Sequence, residues 1–247
     1  MQKKMLKGLQ NCLIIGISGA TCSGKTTLAN ALHKVIPNSI ALNQDQYYWD
    51  DDSENHILAE GIKHINWELV SAFDNERLVT EIKSLASKSE PLASTKFDID
   101  GNLKRFETLV EEARNLHHNS LFSRNVDEAD HIVDDMKKLF STFPRIIIID
   151  GILIFNYPEL LNICDLKFFS TLDYKTCLDR RTLRSYDPPD VPGYFEKIVY
   201  PFYVKNLEDM KSLDSEKTIS YLDGGNDLLS NFKVIGSNII KTFASNK

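Results

Sequence analysis

Gly19-Ala20-Thr21-Cys22-Ser23-Gly24-Lys25-Thr26 carries the spacing GxxxxGK[ST], between the apolar run Cys12 to Ser18 and a helical pattern that begins at Lys25. Glycines in such a loop let successive backbone N–H groups turn inward around a phosphate, and the helix N-terminus adds its partial positive charge. Lys25 is then expected to reach the β- and γ-phosphates of a nucleotide while the Thr26 hydroxyl ligates Mg²⁺, with Gly19 to Thr27 as the phosphate-binding stretch. Asp45 and Asp150 each close an apolar segment, Ser39 to Leu42 and Arg145 to Ile149. Ligands collect at the carboxyl ends of strands in an open α/β sheet, so both acids are expected to face the nucleotide. Asp150, followed by Gly151, suits a Mg²⁺-holding acid, directly or through water. Asp45 suits a general base that takes a proton from an attacking hydroxyl.

Asp45 is followed by Gln46-Tyr47-Tyr48-Trp49, whose rings can stack on a flat ligand, and by Asp50 to Asp52, which read as a solvated acidic loop. Farther on, Arg180, Arg181 and Arg184 fall on one expected helix, Tyr174 to Arg184. Residues four apart share a helical face, so Arg180 and Arg184 can hold phosphates together while Arg181, about 100° away, points to the acceptor. The rigid, aromatic stretch Ser185 to Gly193 suits a lid that closes on substrate.

These groups need a scaffold, and strands alternate with helical patterns along the chain. Further strands are expected at Leu166 to Phe169 and Thr218 to Leu222, and helices along Leu78/Ile82/Leu85, Tyr194 to Leu213 with a kink at Pro201, and Phe232 to Phe243. The expected fold is α/β: a P-loop NTPase domain over 1–247, with a doubly wound parallel sheet of about five strands and helices on both faces. Residues 85–143 read as an α-rich insertion or acceptor-side subdomain, with helical patterns at Phe106 to Ala113 and Ile132 to Leu139.

The composition narrows the partners. With Lys and Arg numbering 29 against 35 Asp and Glu, the net charge of −6 argues against nucleic acid and anionic membrane as partners. Cys12, Cys22, Cys164 and Cys177 form no CxxC pair, which is expected of reduced thiols in an intracellular protein. No apolar run approaches the roughly 20 residues that span a bilayer.

IIGISGATCSGKTT (14–27), NQDQYY (43–48), INWELVSAF (65–73), IIIDGILIFNYP (147–158), RRTLRSYDPPDVPGYF (180–195) and SYLDG (220–224) together resemble nicotinamide riboside kinases, within the uridine kinase-like branch of P-loop kinases. That resemblance implies transfer of the ATP γ-phosphate to the ribose 5′-hydroxyl of nicotinamide riboside, and of its nicotinic acid analogue, giving the mononucleotide for NAD synthesis in the cytoplasm, with the nucleus as a further location. It implies ATP and Mg²⁺ as cofactors and a small-molecule riboside as partner. By motif, Asp45 is the base and stands near Mg²⁺ with Thr26 and Asp150, Lys25 and Arg180 assist the transfer, and Arg180 and Arg184 serve ATP. The acceptor falls to Asp45, Gln46, Tyr47, Tyr48, Trp67, Glu68, Arg181, Tyr186 and Asp187. Trp67-Glu68 stands where similar enzymes have Tyr-Asp, which changes reach within one chemical type. A uridine or cytidine kinase is the alternative nearest in chemistry, and a nucleotide-binding regulatory protein is the alternative of another class.

Overall fold

The computed structural model describes residues 12–36, 38–88, 131–136, 138–139 and 145–244. In chain order the elements are β1 (Cys12–Gly19), α1 (Lys25–Val35), β2 (Ser39–Asn43), a 3₁₀ turn (Gln44–Tyr47), α2 (Asn75–Ser87), β3 (Arg145–Asp150), α3 (Pro158–Ile163), β4 (Leu166–Thr171), α4 (Tyr174–Arg181), α5 (Tyr200–Leu213), β5 (Ile219–Asp223) and α6 (Leu228–Ala244). The five strands pair in parallel in the order β2-β3-β1-β4-β5. β1 and β3 are buried along their whole length, as their unbroken apolar runs require of strands covered on both faces.

The two-residue period of the strands divides the core. Leu13, Ile15, Ile17, Ile146 and Ile148 meet Leu28 and Leu32 of α1 and Phe232, Ile235 and Ile239 of α6. Their neighbours Ile14, Ile147 and Ile149 face the other way, onto Leu78 and Ile82 of α2, Leu160 of α3 and Met210 of α5. At roughly 1.5–3 kcal/mol for each large aliphatic side chain removed from water, these two layers are what anchors the sheet. β1 lies between β3 on one side and β4 on the other, and the crevice where the strand order reverses lies at the end of β1, where the glycine-rich loop begins.

Three expectations are corrected. α4 ends at Arg181 rather than Arg184, because the Thr182 hydroxyl donates back to the Asp179 carbonyl and the Arg184 N–H reaches only to Arg181, which tightens the chain into Ser185 to Gly193, the stretch expected to act as a lid. The kink expected at Pro201 is a π-turn over Phe195–Val199 in which the Tyr200 N–H donates to Phe195. Proline has no N–H to continue the ordinary ladder, and the wider turn absorbs the defect. α2 runs to Ser87, into the stretch 85–143 read as an insertion. Within that stretch 131–136 is helical, and Val133 and Met136 are buried against α6, where Gly236 admits Ile132 so closely that a Cβ would stand 2.3 Å from its Cγ2. The pattern at Phe106 to Ala113 lies outside the described residues. Among the described residues no helix is long and apolar enough to cross a membrane.

Candidate active site

β1 delivers the loop through a gap that only glycine passes. A Cβ on Gly19, at φ +137°, would stand 2.1 Å from the Ser170 carbonyl oxygen, and the next residue, Ala20, donates its N–H to that same oxygen at 3.0 Å. Cys22 and Gly24 also take positive φ, 59° and 84°, so the backbone curls before α1 begins. Nothing lies within 4 Å of the position a Gly24 side chain would fill, which leaves room for a phosphate against the first N–H groups of the helix. Lys25, 7% exposed, folds back and donates to the Ala20 carbonyl at 2.6 Å. Burial lowers its pKa, and Asp45 and Asp150 oppose that shift.

The ends of β2 and β3 bring the acids to this loop, with Asn43 in register with Asp150. Thr26 Oγ1 donates to Asp150 Oδ2 at 2.6 Å, and burial pushes the Asp150 carboxyl up to about 6 against that hydrogen bond. Asp45 stands at the mouth of the cleft, open to solvent on one side and crowded by protein on the other. That crowding raises its pKa, offset in part by Lys25 and Arg184. Thr21, Cys22, Thr27, Gly151, Ile152 and Arg184 complete the lining. A hydroxyl and a carboxylate in contact suit Mg²⁺, which takes one or two protein oxygens and fills its shell with water and phosphate oxygens. No group of three or more His, Cys, Asp or Glu that would hold a metal without substrate occurs among the described residues.

Beyond Asp45 an aromatic wall begins. Tyr48 stacks on Phe73 with centroids 4.1 Å apart and meets Trp67 edge-on at 5.2 Å, and His56 packs on Trp67 at 4.7 Å. The Trp67 N–H donates to the Tyr194 hydroxyl, which donates to the Ile65 carbonyl, so the wall is tied to the end of the lid. Glu68, next to Trp67 in the chain, is 6% exposed, and its backbone carbonyl accepts from Asn206. Burial pushes its pKa up to about 7, with Arg181 and Lys25 pulling it down.

The three arginines divide. Arg180 donates to the carbonyls of Cys22 at 3.1 Å and Gly224 at 2.7 Å, bracing the loop against the turn after β5 and leaving its guanidinium outside the cleft lining. Arg184, freed from the helix, lines the cleft beside Asp45. Arg181, 8% exposed, makes a bidentate pair with Asp190 at 2.6 and 2.8 Å, donates to Thr21 Oγ1 at 3.3 Å and lies 4.2 Å above the Tyr186 ring. Tyr186 in turn lies 3.5 Å from the Cys22 sulfur, so the 185–193 stretch and the glycine-rich loop are joined.

Tyr47 is a correction among the expected acceptor residues. It is 3% exposed, its hydroxyl donates to Glu81 at 2.7 Å and Arg77 covers its ring, because the 3₁₀ turn rotates it onto α2. Gln46 is exposed and its carbonyl accepts from Arg77; Asp187 is exposed on the lid. Asn43, Gln44 and Asp190 were missed. Gln44, fully buried, donates to Asn75 and accepts the Leu153 N–H, which locks the Asp45 turn to the loop after β3. An amide next to a strand-end acid was the available signal.

No family model matches the chain. It is 30% identical over 234 residues to human nicotinamide riboside kinase 1, covering 95% of each chain, and 26% identical over 212 residues to human nicotinamide riboside kinase 2, covering 86% of this chain and 74% of that one. A uridine kinase of Clostridium novyi is 28% identical over 174 residues, 70% of this chain and 67% of that one. Both the identity and its extent place this protein in the nicotinamide riboside kinase family.

Proposed function

We propose that the protein is an ATP-dependent kinase that phosphorylates the ribose 5′-hydroxyl of nicotinamide riboside, and of its nicotinic acid analogue, in a single P-loop kinase domain with residues 185–193 as lid. The observation that carries this reading is the buried Glu68 carboxylate, next in the chain to Trp67 of the Tyr48–Trp67 wall and in electrostatic reach of Arg181, Lys25 and Asp45. A regulatory nucleotide switch has no use for such a buried acid beside an aromatic wall, and uridine carries no positive charge to reward the acid.

In this reading Lys25 exchanges the Ala20 carbonyl for phosphate oxygens, and the backbone of Gly19 to Thr27 cradles them. Mg²⁺ held by Thr26 and Asp150 would draw charge from the β- and γ-phosphates. Asp45 accepts the proton of the 5′-hydroxyl as that oxygen attacks in line, and its raised pKa makes it the stronger base. Arg184 stabilises charge on the transferred group, Glu68 holds ribose hydroxyls, and Arg181 fixes Tyr186 over the acceptor. A cytoplasmic location, supplying the mononucleotide for NAD synthesis, belongs to the same proposal.

The test is steady-state assay of the purified chain with ATP, Mg²⁺ and nicotinamide riboside, with the phosphate located by phosphorus NMR. A 5′-monophosphate is the expected product. ATP hydrolysis with no phosphorylated riboside would overturn the reading in favour of the switch.

A further inference from the structure

Asn43 touches both groups assigned above to the metal and the backbone of the residue assigned to the proton. Its Nδ2 donates to Thr26 Oγ1 and to Asp150 Oδ2, each at 3.2 Å, while its Oδ1 accepts the Asp45 N–H at 2.7 Å. Thr26 and Asp150 are themselves joined at 2.6 Å. One rigid amide plane thus spans the pair on α1 and β3 and the turn that carries Asp45.

The geometry points to Asn43 as a positioning residue that sets the base Asp45 in register with the Thr26–Asp150 pair, an inference that rests on the phosphoryl-transfer reading of the site. Asn and Gln are the side chains that present a neutral donor and an acceptor on one plane. At the end of β2 the Cα of residue 43 pairs with that of Asp150, which places the short amide between the two sides. Near-attack geometry is sensitive to displacements of about 1 Å, so a tether between base and metal-side groups acts on turnover more than on binding. A plain turn cap uses Oδ1 alone, and the two roles separate by substitution. Asn43→Asp keeps the acceptor for the Asp45 N–H, removes the donor and sets a second carboxylate against Asp150. Asn43→Ala removes both.

The experiment compares wild type, Asn43→Asp and Asn43→Ala by thermal melting, by calorimetric binding of ATP with and without Mg²⁺, and by steady-state kinetics on the riboside the wild type accepts. For Asn43→Asp the expected result is an unchanged melting temperature, a riboside KM within about threefold and a kcat lowered roughly ten- to hundredfold. For Asn43→Ala the gain in ATP affinity on adding Mg²⁺ shrinks by about fivefold or more while metal-free ATP binding holds, as expected for a metal-side pair that has lost its orienting partner. Wild-type kcat in Asn43→Asp, or an undiminished Mg²⁺ gain in Asn43→Ala, would reduce Asn43 to a turn cap and overturn the inference. If the wild type phosphorylates no riboside, the functional reading fails on its own, and the Mg²⁺ gain still decides the role of Asn43.

Discussion

Replacing Glu68 by Gln should both weaken riboside binding and remove its pH dependence. The side chain is 6% exposed and its carboxyl is pushed from 4.5 to about 7, first by burial. That displacement corresponds to about 3 kcal/mol in favour of the protonated form of Glu68. A riboside that brings hydroxyl donors and a cationic ring favours the ionised form instead. If only that form binds, about a tenth of the molecules are competent at pH 6 and about nine-tenths at pH 8, so the apparent Kd falls roughly tenfold over the interval. Glutamine abolishes the slope and, at pH 8, forfeits charge-assisted hydrogen bonds of about 1.5–3 kcal/mol, roughly 10- to 150-fold in Kd. Calorimetric titration of both proteins at pH 6, 7 and 8 is the assay, and their ratio cancels what the other groups contribute. The empty proteins should differ with the opposite sense. An acid raised by folding adds stability that is complete below about 4.5 and lost as the pH rises through about 7, so Glu68→Gln should melt higher than wild type at pH 8, with the gap closing toward pH 5. Parallel pH profiles for the two proteins would refute the assignment of Glu68 to the acceptor.

Other outcomes follow from the same geometry. Asp45→Asn should lower kcat by about 10²–10⁴-fold, in the range of general base catalysis, while ATP binding and the melting temperature hold; turnover at the wild-type rate would remove Asp45 from proton transfer. Asp190→Ala strands the buried Arg181, so it should cost about 1–3 kcal/mol in denaturant melts, discounted for the partial exposure of Asp190, and raise the riboside KM as Tyr186 loses its support. Asp165, raised to about 6 by burial although it accepts the Ile14 N–H, is penalised when ionised. Asp165→Asn should therefore melt higher than wild type at pH 8, and the two curves should meet near pH 4.

What could be read from the sequence depended on periodicity and on unbroken motifs. The runs Cys12 to Ser18 and Arg145 to Ile149 announced central strands because a strand covered on both faces tolerates no polar interruption. The glycine-rich loop announced itself because its glycines answer to backbone geometry, as the Ser170 carbonyl beside Gly19 shows. Three features had no such signal. Tyr47 turned into the core because a short 3₁₀ turn has no period from which to assign a face. Arg184 left the helix because the stop at Arg181 is made by a threonine back-bond and a lid, not by glycine or proline at that point. The tie of Arg181 to Asp190 bridges nine positions of irregular chain, which spacing rules do not reach. The proposed acceptor residues were therefore legible in type and not in how they pair.

The most direct test of the account is a competition in one vessel: wild-type protein, limiting ATP with Mg²⁺, and equal concentrations of nicotinamide riboside, nicotinic acid riboside, uridine and cytidine, with the monophosphates separated and counted. Product ratios then report relative kcat/KM without any choice of substrate level. The account expects the pyridine riboside monophosphates to dominate, and expects that preference to shrink in Glu68→Gln. Uridine or cytidine monophosphate as the main product would contradict it.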